Sequence, residues 1–237
     1  MSRRPSRRPL SPATPSREAS CERPMPPDGA ILALDAMGVL YATGDDVGDL
    51  LVPFAHDKGS SAVAAEIEQA YLAASLGQID AEEFWWQIGL DPRLEDDYLR
   101  RHRLADGVRE FLAAAGTVFG TVCCISNDVS RWSAKLRRSF AIEASISPWL
   151  VSGDLGIRKP DERIYRQAIA RLGVPASRLY FVDDRVKNLD AARQLGINTI
   201  LFDPTGMATE TPHLPIRRLG DLLDPRVLAL AINDASL

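Results

Sequence analysis

The stretch that decides the fold is LYFVDDRVKNLDAARQLGINTILF, residues 179–202. It opens with a short apolar run at 179–182, which two aspartates end, and it closes with a second apolar run at 198–202. Between the runs, Leu189, Ala192 and Leu195 recur at helical spacing before Gly196, a residue typical of a helix end. A strand, a helix and a strand in this order predict a βαβ unit with two parallel strands.

The same alternation extends towards the amino terminus. Apolar runs predict three more strands, at 30–34, 121–125 and 149–152. A helical pattern that begins behind Pro160 lies between the third and fourth strands, and its apolar members are Ile164, Tyr165, Ala168, Ile169 and Leu172. The fold class is therefore predicted to be α/β, with a parallel sheet covered by helices.

About 85 residues separate the first two predicted strands, far more than one crossover helix requires. Apolar residues at helical spacing end at Gly77, and Asp80 with Glu83 then resembles a capping box that opens another helix. We predict a small helical domain over 46–104, inserted into a core made of 29–45 and 105–237. The adjacent aromatics Phe84, Trp85 and Trp86 are expected to pack within it rather than to line a substrate pocket.

Composition restricts the possible partners. Residues 1–28 hold seven of the sixteen prolines and are predicted to be disordered. Six arginines and two glutamates give residues 1–24 a charge of +4, so a total of -4 leaves -8 on the remainder, which argues against a nucleic-acid groove. No apolar stretch reaches the roughly 18 residues of a membrane-spanning helix, and a cytoplasmic location is expected. The cysteines at 21, 123 and 124 are interpreted as reduced thiols.

Polar side chains stand where the predicted strands end, which is where open parallel sheets bind ligands. The set comprises Asp35, Ser126, Asn127, Asp183 and Asp184, with Lys159 in the segment that leaves the third strand. Three carboxylates in one crevice would take up protons unless a cation neutralised them, and hard oxygen ligands suit Mg2+. With the metal on Asp35 and Asp184, the set would cradle a phosphoryl group and place Asp35 as a nucleophile.

Four segments resemble, in order, the four motifs of the haloacid dehalogenase-like hydrolase superfamily. They are ILALDAMGVLY (31–41), CCISND (123–128), SGDLGIRKPDERIYRQAI (152–169) and YFVDDRVKNLDAARQLGINTILF (180–202). The resemblance implies a Rossmann-like core with a helical cap, similar to the phosphatase domain of soluble epoxide hydrolases. It further implies an aspartyl-phosphate at Asp35, formed from a small phosphorylated metabolite. Its implied site roles are phosphate contacts from Ser126 and Lys159, Mg2+ held by Asp35, the Met37 carbonyl and Asp184, and support from Asp183 and Asn188.

Met37 departs from the phosphatase pattern, which has a second aspartate there to protonate the leaving group and activate water. Positioned acid–base catalysis typically supplies 100- to 10,000-fold, so alkyl phosphates should react more slowly than acyl or aryl phosphates unless another group substitutes. Asp45 or Asp46 could substitute, although GDD is also ordinary turn chemistry.

The same departure keeps three alternatives open. One is a weakened phosphate- and metal-binding regulatory protein. Another is a dehalogenase, against which the metal-type pair Asp183 and Asp184 argues. The last is a phosphonatase, for which Lys58 is the single lysine of the insert and resembles a solvated loop residue.

Overall fold

The computed structural model describes residues 29–208 and 210–232. Within these residues, six strands form one parallel sheet in the order β3-β2-β1-β4-β5-β6. The strands are β1 (Ile31–Leu34), β2 (Thr121–Ser126), β3 (Trp149–Val151), β4 (Leu179–Asp183), β5 (Asn198–Phe202) and β6 (Leu214–Ile216). The α/β prediction is confirmed, whereas the tail predicted over 1–28 lies outside the described residues.

All five predicted strands form, with small differences at their ends. The third ends at Val151 rather than 152, because Ser152 already begins a helix. Strand β6 was not predicted from the sequence, since its central residue is Pro215, which has no backbone N–H to donate. The strand lies at the edge of the sheet, where proline is tolerated.

Side chains alternate between the two faces of the sheet, and each face belongs to its own apolar core. On β1, Leu32 and Leu34 belong to one core, while Ile31 and Ala33 belong to the other. Cys123 and Cys124 are free, buried and likewise divided between the two cores. Because both faces are covered, the central strands β1, β2 and β4 are mostly apolar on both faces, as expected for a parallel sheet.

The helices fall into an inserted group and two groups that cover the sheet. They are α1 (Val52–Asp57), α2 (Ala64–Ser75), α3 (Ala81–Gln87), α4 (Glu95–Leu99), α5 (Val108–Ala115), α6 (Ser130–Ser139), α7 (Ser152–Leu155), α8 (Glu162–Leu172), α9 (Val186–Gln194) and α10 (Pro225–Leu230). Apolar residues of α8 and α9 pack in one core, and those of α5 and α6 pack in the other. No helix within the described residues is long and apolar enough to cross a membrane.

Helices α1 to α4 lie between β1 and β2, in the region where the sequence predicts an insertion. The chain enters and leaves this region side by side, since Tyr41 and Leu104 form an antiparallel bridge. The inserted helices share a core with the sheet: the ring of Trp132 on α6 lies 5.0 Å from that of Phe84 and 5.6 Å from that of Trp85. Phe84 and Trp85 therefore pack as expected, while Trp86 is exposed.

Candidate active site

Three aspartates meet at the carboxyl ends of β1 and β4, which are neighbours in the sheet. One carboxylate oxygen from each of Asp35, Asp183 and Asp184 lies within 4.8 Å of the others. Asp35 and Asp183 are buried, and Asp184 is partly exposed. The sheet order thus brings together acids that are about 150 residues apart in the chain, as the strand-end argument predicts.

Lys159 supplies the positive charge between two of these acids. Its Nζ lies 2.6 Å from Asp35 Oδ1 and 2.8 Å from Asp183 Oδ2, and the residue is only 4% exposed. Burial alone would lower the pKa of Lys159, but the carboxylates of Asp183 and Asp35 more than reverse this, so its pKa is raised. The lysine therefore stays protonated beside Asp35.

Asn127, at the end of β2, fixes the backbone of that lysine. Its Oδ1 accepts a hydrogen bond from the backbone N–H of Lys159 at 2.7 Å, and its Nδ2 donates to the Lys159 carbonyl at 2.9 Å. Ser126, the preceding residue, is completely buried, and its hydroxyl has no hydrogen-bond partner within the described chain. The structure thus brings Asn127 to the cavity wall and leaves Ser126 beneath it.

Asp183 is held by polar groups on all sides. Both of its oxygens accept from Asn188 Nδ2 at 3.0 Å, and Oδ1 also accepts from the backbone N–H of Arg185 at 2.8 Å. Together with Lys159, these donors occupy the carboxylate. The arrangement suits a supporting position for Asp183 and Asn188 rather than direct contact with a ligand.

Asp184 presents a carboxylate with free coordinating capacity. Its Oδ1 is buried and accepts no hydrogen bond from the part of the chain that the structure describes. Gly38 and Gly44 approach the other oxygen so closely that a Cβ on Gly44 would stand 2.6 Å from Oδ2, and one on Gly38 would collide with it. Burial and the charge of Asp183 raise the pKa of Asp184 to about 6.

These residues fit a divalent cation. Burial, and then the charge of Asp183, raise the pKa of Asp35 well above its usual range, against the opposing charge of Lys159. A single lysine thus leaves the acid cluster short of positive charge, and Mg2+ prefers carboxylate oxygens of this kind. Asp35, the Met37 carbonyl and Asp184 stay the predicted ligands.

A cavity of about 520 Å3 opens above the acids, between the strand ends and the inserted helices. Asp35, Met37, Asn127, Lys159 and Asn188 line its floor, which is where the sequence places the site. The remaining wall includes Asp45 and Asp46, the two acids that the sequence offers as substitutes for the missing aspartate. The strand-end argument does not name its other residues, which are Gly44, Val47, Glu68, Tyr71, Leu72, Arg158, Arg185 and Lys187. A small, strongly polar molecule fits such a cavity.

Arg158 and Tyr71, two residues of this wall, contact each other. The guanidinium of Arg158 lies 5.5 Å from the ring centroid of Tyr71 and contacts the hydroxyl of Ser75, and the Tyr71 hydroxyl donates to the Asn127 carbonyl at 3.2 Å. Tyr71 follows the helical spacing of α2 and is indistinguishable in sequence from a core residue. Arg158 precedes Lys159 directly, and that adjacency was the available signal.

Other candidates lie elsewhere. Lys58 is 4.0 Å from an oxygen of Asp97 and does not line the cavity. His56 pairs through Nε2 with the Ala62 carbonyl at 3.0 Å, and His102 is buried, with its pKa lowered to about 4 by burial. His102 thus belongs to the packed interior of the insert, whereas Lys58 and His56 are exposed.

Residues 30–196 match the family described as haloacid dehalogenase-like hydrolases. Among curated proteins, the chain is 29% identical to (S)-2-haloacid dehalogenase 4A of Burkholderia cepacia over 131 residues, which is 54% of this chain and 55% of that protein. It is 30% identical to phosphoserine phosphatase of Thermus thermophilus over 125 residues, or 52% of this chain and 50% of that one. The matches thus span about half the length of these relatives.

Two solved structures illustrate the likeness of fold. A 2-haloacid dehalogenase from Pseudomonas syringae has a TM-score of 0.61 at 21% identity and covers 85% of this chain and 98% of its own. A family enzyme from Bacteroides thetaiotaomicron, solved with magnesium and inorganic phosphate, has a TM-score of 0.63 at 18% identity and covers 76% and 96%. The match over 30–196 includes the strand-end acids and the inserted helices, and the chain belongs to the haloacid dehalogenase-like hydrolase family.

Proposed function

We propose that this hydrolase is a Mg2+-dependent phosphatase of a small phosphorylated metabolite. The observation that carries the proposal is the carboxylate of Asp184, whose Oδ1 accepts no hydrogen bond within the described residues and which clusters with Asp35, a residue that lines the polar cavity. An acid in that position is useful to a metal-assisted reaction on an anionic substrate, because the metal offsets the repulsion between the acids and the phosphoryl oxygens.

In the proposed reaction, a carboxylate oxygen of Asp35 attacks phosphorus, and the bond between phosphorus and the leaving oxygen breaks. Water then hydrolyses the aspartyl-phosphate and regenerates Asp35. Lys159 and Asn127 bind phosphoryl oxygens, while Ser126 lies beneath them and supports that wall. Mg2+, held by Asp35, the Met37 carbonyl and Asp184, would supply positive charge to the phosphoryl group.

Relatives support the phosphatase assignment. The similar Thermus protein is named a phosphoserine phosphatase, and the Bacteroides enzyme was solved with magnesium and inorganic phosphate. We assign residues 46–104 as a cap over the core formed by 29–45 and 105–237. The cavity wall carries three cationic side chains, those of Arg158, Arg185 and Lys187. They favour a substrate that bears anionic groups.

Met37 favours two alternatives. A dehalogenase is one of them, because a named dehalogenase is among the relatives and such a reaction requires no proton at this position. A weakened protein that binds phosphate and metal without efficient turnover is the other. Each alternative predicts a different product or a different turnover from the proposed phosphatase.

The decisive experiment measures phosphate release from a panel of phosphorylated metabolites, with Mg2+ and with excess chelator. We expect turnover that requires Mg2+ and falls at least about 1,000-fold in Asp35→Asn, since the attacking carboxylate is lost. Asp49→Asn, which changes an exposed carboxylate three residues after Asp46 that does not line the cavity, is the control and should keep full activity. Halide release from a 2-haloacid in chelator would establish the dehalogenase instead, and Mg2+ and phosphate binding without turnover would establish the weakened protein.

A further inference from the structure

Cleavage of an ordinary phosphate ester needs a proton donor that Met37 cannot replace. The leaving oxygen becomes a poorly stabilised alkoxide or phenoxide unless an acid protonates it as the bond breaks. Met37 lies on the cavity floor, and its side chain carries no exchangeable proton. Any donor must therefore come from another residue that lines the cavity.

We propose that Asp46 is this acid and base, and the proposal rests on the phosphatase function given above. Asp46 lines the same cavity as Asp35 and Met37. It follows Gly44 by two residues, and Gly44 lies against the carboxylate of Asp184, so the Asp46 Cα is within about 7 Å of that glycine. The Gly44 carbonyl accepts a hydrogen bond from Arg185 at 2.7 Å, which holds this segment against the end of β4.

The surroundings of Asp46 keep its carboxyl available. The residue is 5% exposed, and its buried Oδ2 has no hydrogen-bond partner within the described residues. Its neighbour Asp45 differs in both respects, since it is exposed and its Oδ1 accepts from the backbone N–H of Gly48 at 3.1 Å. Both acids line the cavity, but Asp45 serves the turn, whereas Asp46 is buried and has a carboxylate oxygen without a hydrogen-bond partner within the described residues.

Charged and titratable groups face Asp46 from several elements. Arg185 at the start of α9, Arg158 before α8 and Asp45 influence its charge, and its own charge acts on Asp128 after β2, on Tyr71 of α2 and on Tyr98 of α4. Asp46 therefore lies within electrostatic range of both the inserted helices and the strand ends. Burial, opposed by its own backbone N–H and by Arg185, raises the pKa of Asp46 to about 7, which suits a group that both donates and accepts a proton near neutrality.

Asp46 donates a proton in the first step of the reaction and recovers one in the second. As Asp35 attacks, the electron pair of the breaking P–O bond goes to the leaving oxygen, which takes the proton of the Asp46 carboxyl. In the second step, the Asp46 carboxylate takes a proton from water while the water oxygen attacks phosphorus and the bond to Asp35 breaks. Inorganic phosphate leaves, and Asp46 is protonated again.

A series of substituted phenyl phosphates tests the proposal, because these substrates share a shape and differ in the leaving group. Phenol itself, with a pKa of about 10 like that of tyrosine, needs the proton far more than p-nitrophenol does. With Mg2+ present, Asp46→Asn should lower kcat/KM at least about 100-fold for phenyl phosphate and less than about 10-fold for p-nitrophenyl phosphate. Asp49→Asn should leave both values within about 2-fold, and circular dichroism should show that each variant is folded.

A pH profile gives a second readout. The first step needs protonated Asp46, so native kcat/KM should fall as pH rises through about 7, and this alkaline limb should disappear in Asp46→Asn. Equal losses on both substrates, or an unchanged alkaline limb, would overturn the role of Asp46 and leave the phosphatase intact. A native protein that releases no phosphate from either substrate would overturn the proposed function, and this inference with it.

Discussion

Lys159 is the residue on which the charge balance of the floor depends, since its ammonium contacts both Asp35 and Asp183. We expect Lys159→Met to lower the free energy of unfolding by about 3–5 kcal/mol at pH 8, because two buried carboxylates lose their counter-charge. Without the lysine, the folded-state pKa of Asp35, which burial already raises, rises further above the unfolded value of about 3.9. The folded state then binds more protons than the unfolded state, so the deficit should shrink as pH falls from 8 to 5.5.

Urea unfolding of native and variant protein at both pH values checks this expectation. Lys58→Met is the matched control, since that lysine makes a partly exposed pair with Asp97 at 4.0 Å and should cost less than about 1 kcal/mol. A deficit in Lys159→Met that is the same at both pH values would contradict the charge argument and indicate lost packing instead.

Asp45 and Asp46 illustrate what a sequence leaves undecided at this scale. Both are aspartates in a glycine-flanked turn, and both have the same chemistry in isolation. The structure separates them through burial and hydrogen bonding, because Asp45 is exposed and accepts from Gly48, whereas Asp46 is enclosed between the strand ends and α2. Residues on the cavity floor were predictable because parallel strands end at a common edge of the sheet. Residues on the wall were not, because their positions depend on how the inserted helices pack over that edge.

Helices α4 and α6 are joined by a buried ionic cluster that links the insert to the core. Glu95 is 1% exposed; its carboxylate lies 2.9 Å from Arg131 Nε and 2.7 Å from Lys135 Nζ, and it accepts a hydrogen bond from Trp132 Nε1 at 2.9 Å. We expect Glu95→Gln to cost about 1–3 kcal/mol in the free energy of unfolding, since a buried charged acceptor is lost while the two cations stay partly exposed to water. Glu143→Gln, which breaks an exposed pair with Arg137, should cost less than about 1 kcal/mol.

Thermal unfolding of the two variants measures the difference. If Glu95→Gln melted within a degree of the native protein, the cluster would not be what fastens α4 to α6. The aromatic contacts around Trp132 would then have to hold the two helices together.

The elements themselves were largely predictable, for reasons that also explain the exceptions. Buried strands such as β4 are mainly apolar up to their last residue, and amphipathic helices such as α8 mark their buried face by spacing. Strand β6 carries a proline, so local propensity argues against it and only the neighbouring β5 induces it. The predicted capping box was half right: Asp80 accepts from the backbone N–H groups of Glu82 and Glu83, while the Glu83 carboxylate accepts from Gln87.

At the scale of the whole molecule, the clustered acids at the strand ends should let the folded state bind cations more tightly than the unfolded chain does. If Mg2+ binds Asp35 and Asp184, it should raise the stability by RT ln(1 + [Mg2+]/Kd), or about 2.7 kcal/mol at 100 times Kd. For a domain of this size, that corresponds to a rise in Tm of several degrees. Asp184→Asn should abolish the rise, and Asp49→Asn should retain it.

Scanning fluorimetry at 10 mM MgCl2, against NaCl of equal ionic strength, measures this effect without reference to activity. The comparison with NaCl matters because general screening would also relieve repulsion among the acids of a chain whose described part is acidic. An increase specific to Mg2+ and dependent on Asp184 would therefore assign the binding to the strand-end cluster. Equal shifts in both salts would mean that Lys159 already satisfies the cluster, and the reaction would then have to proceed on the protein's own charges.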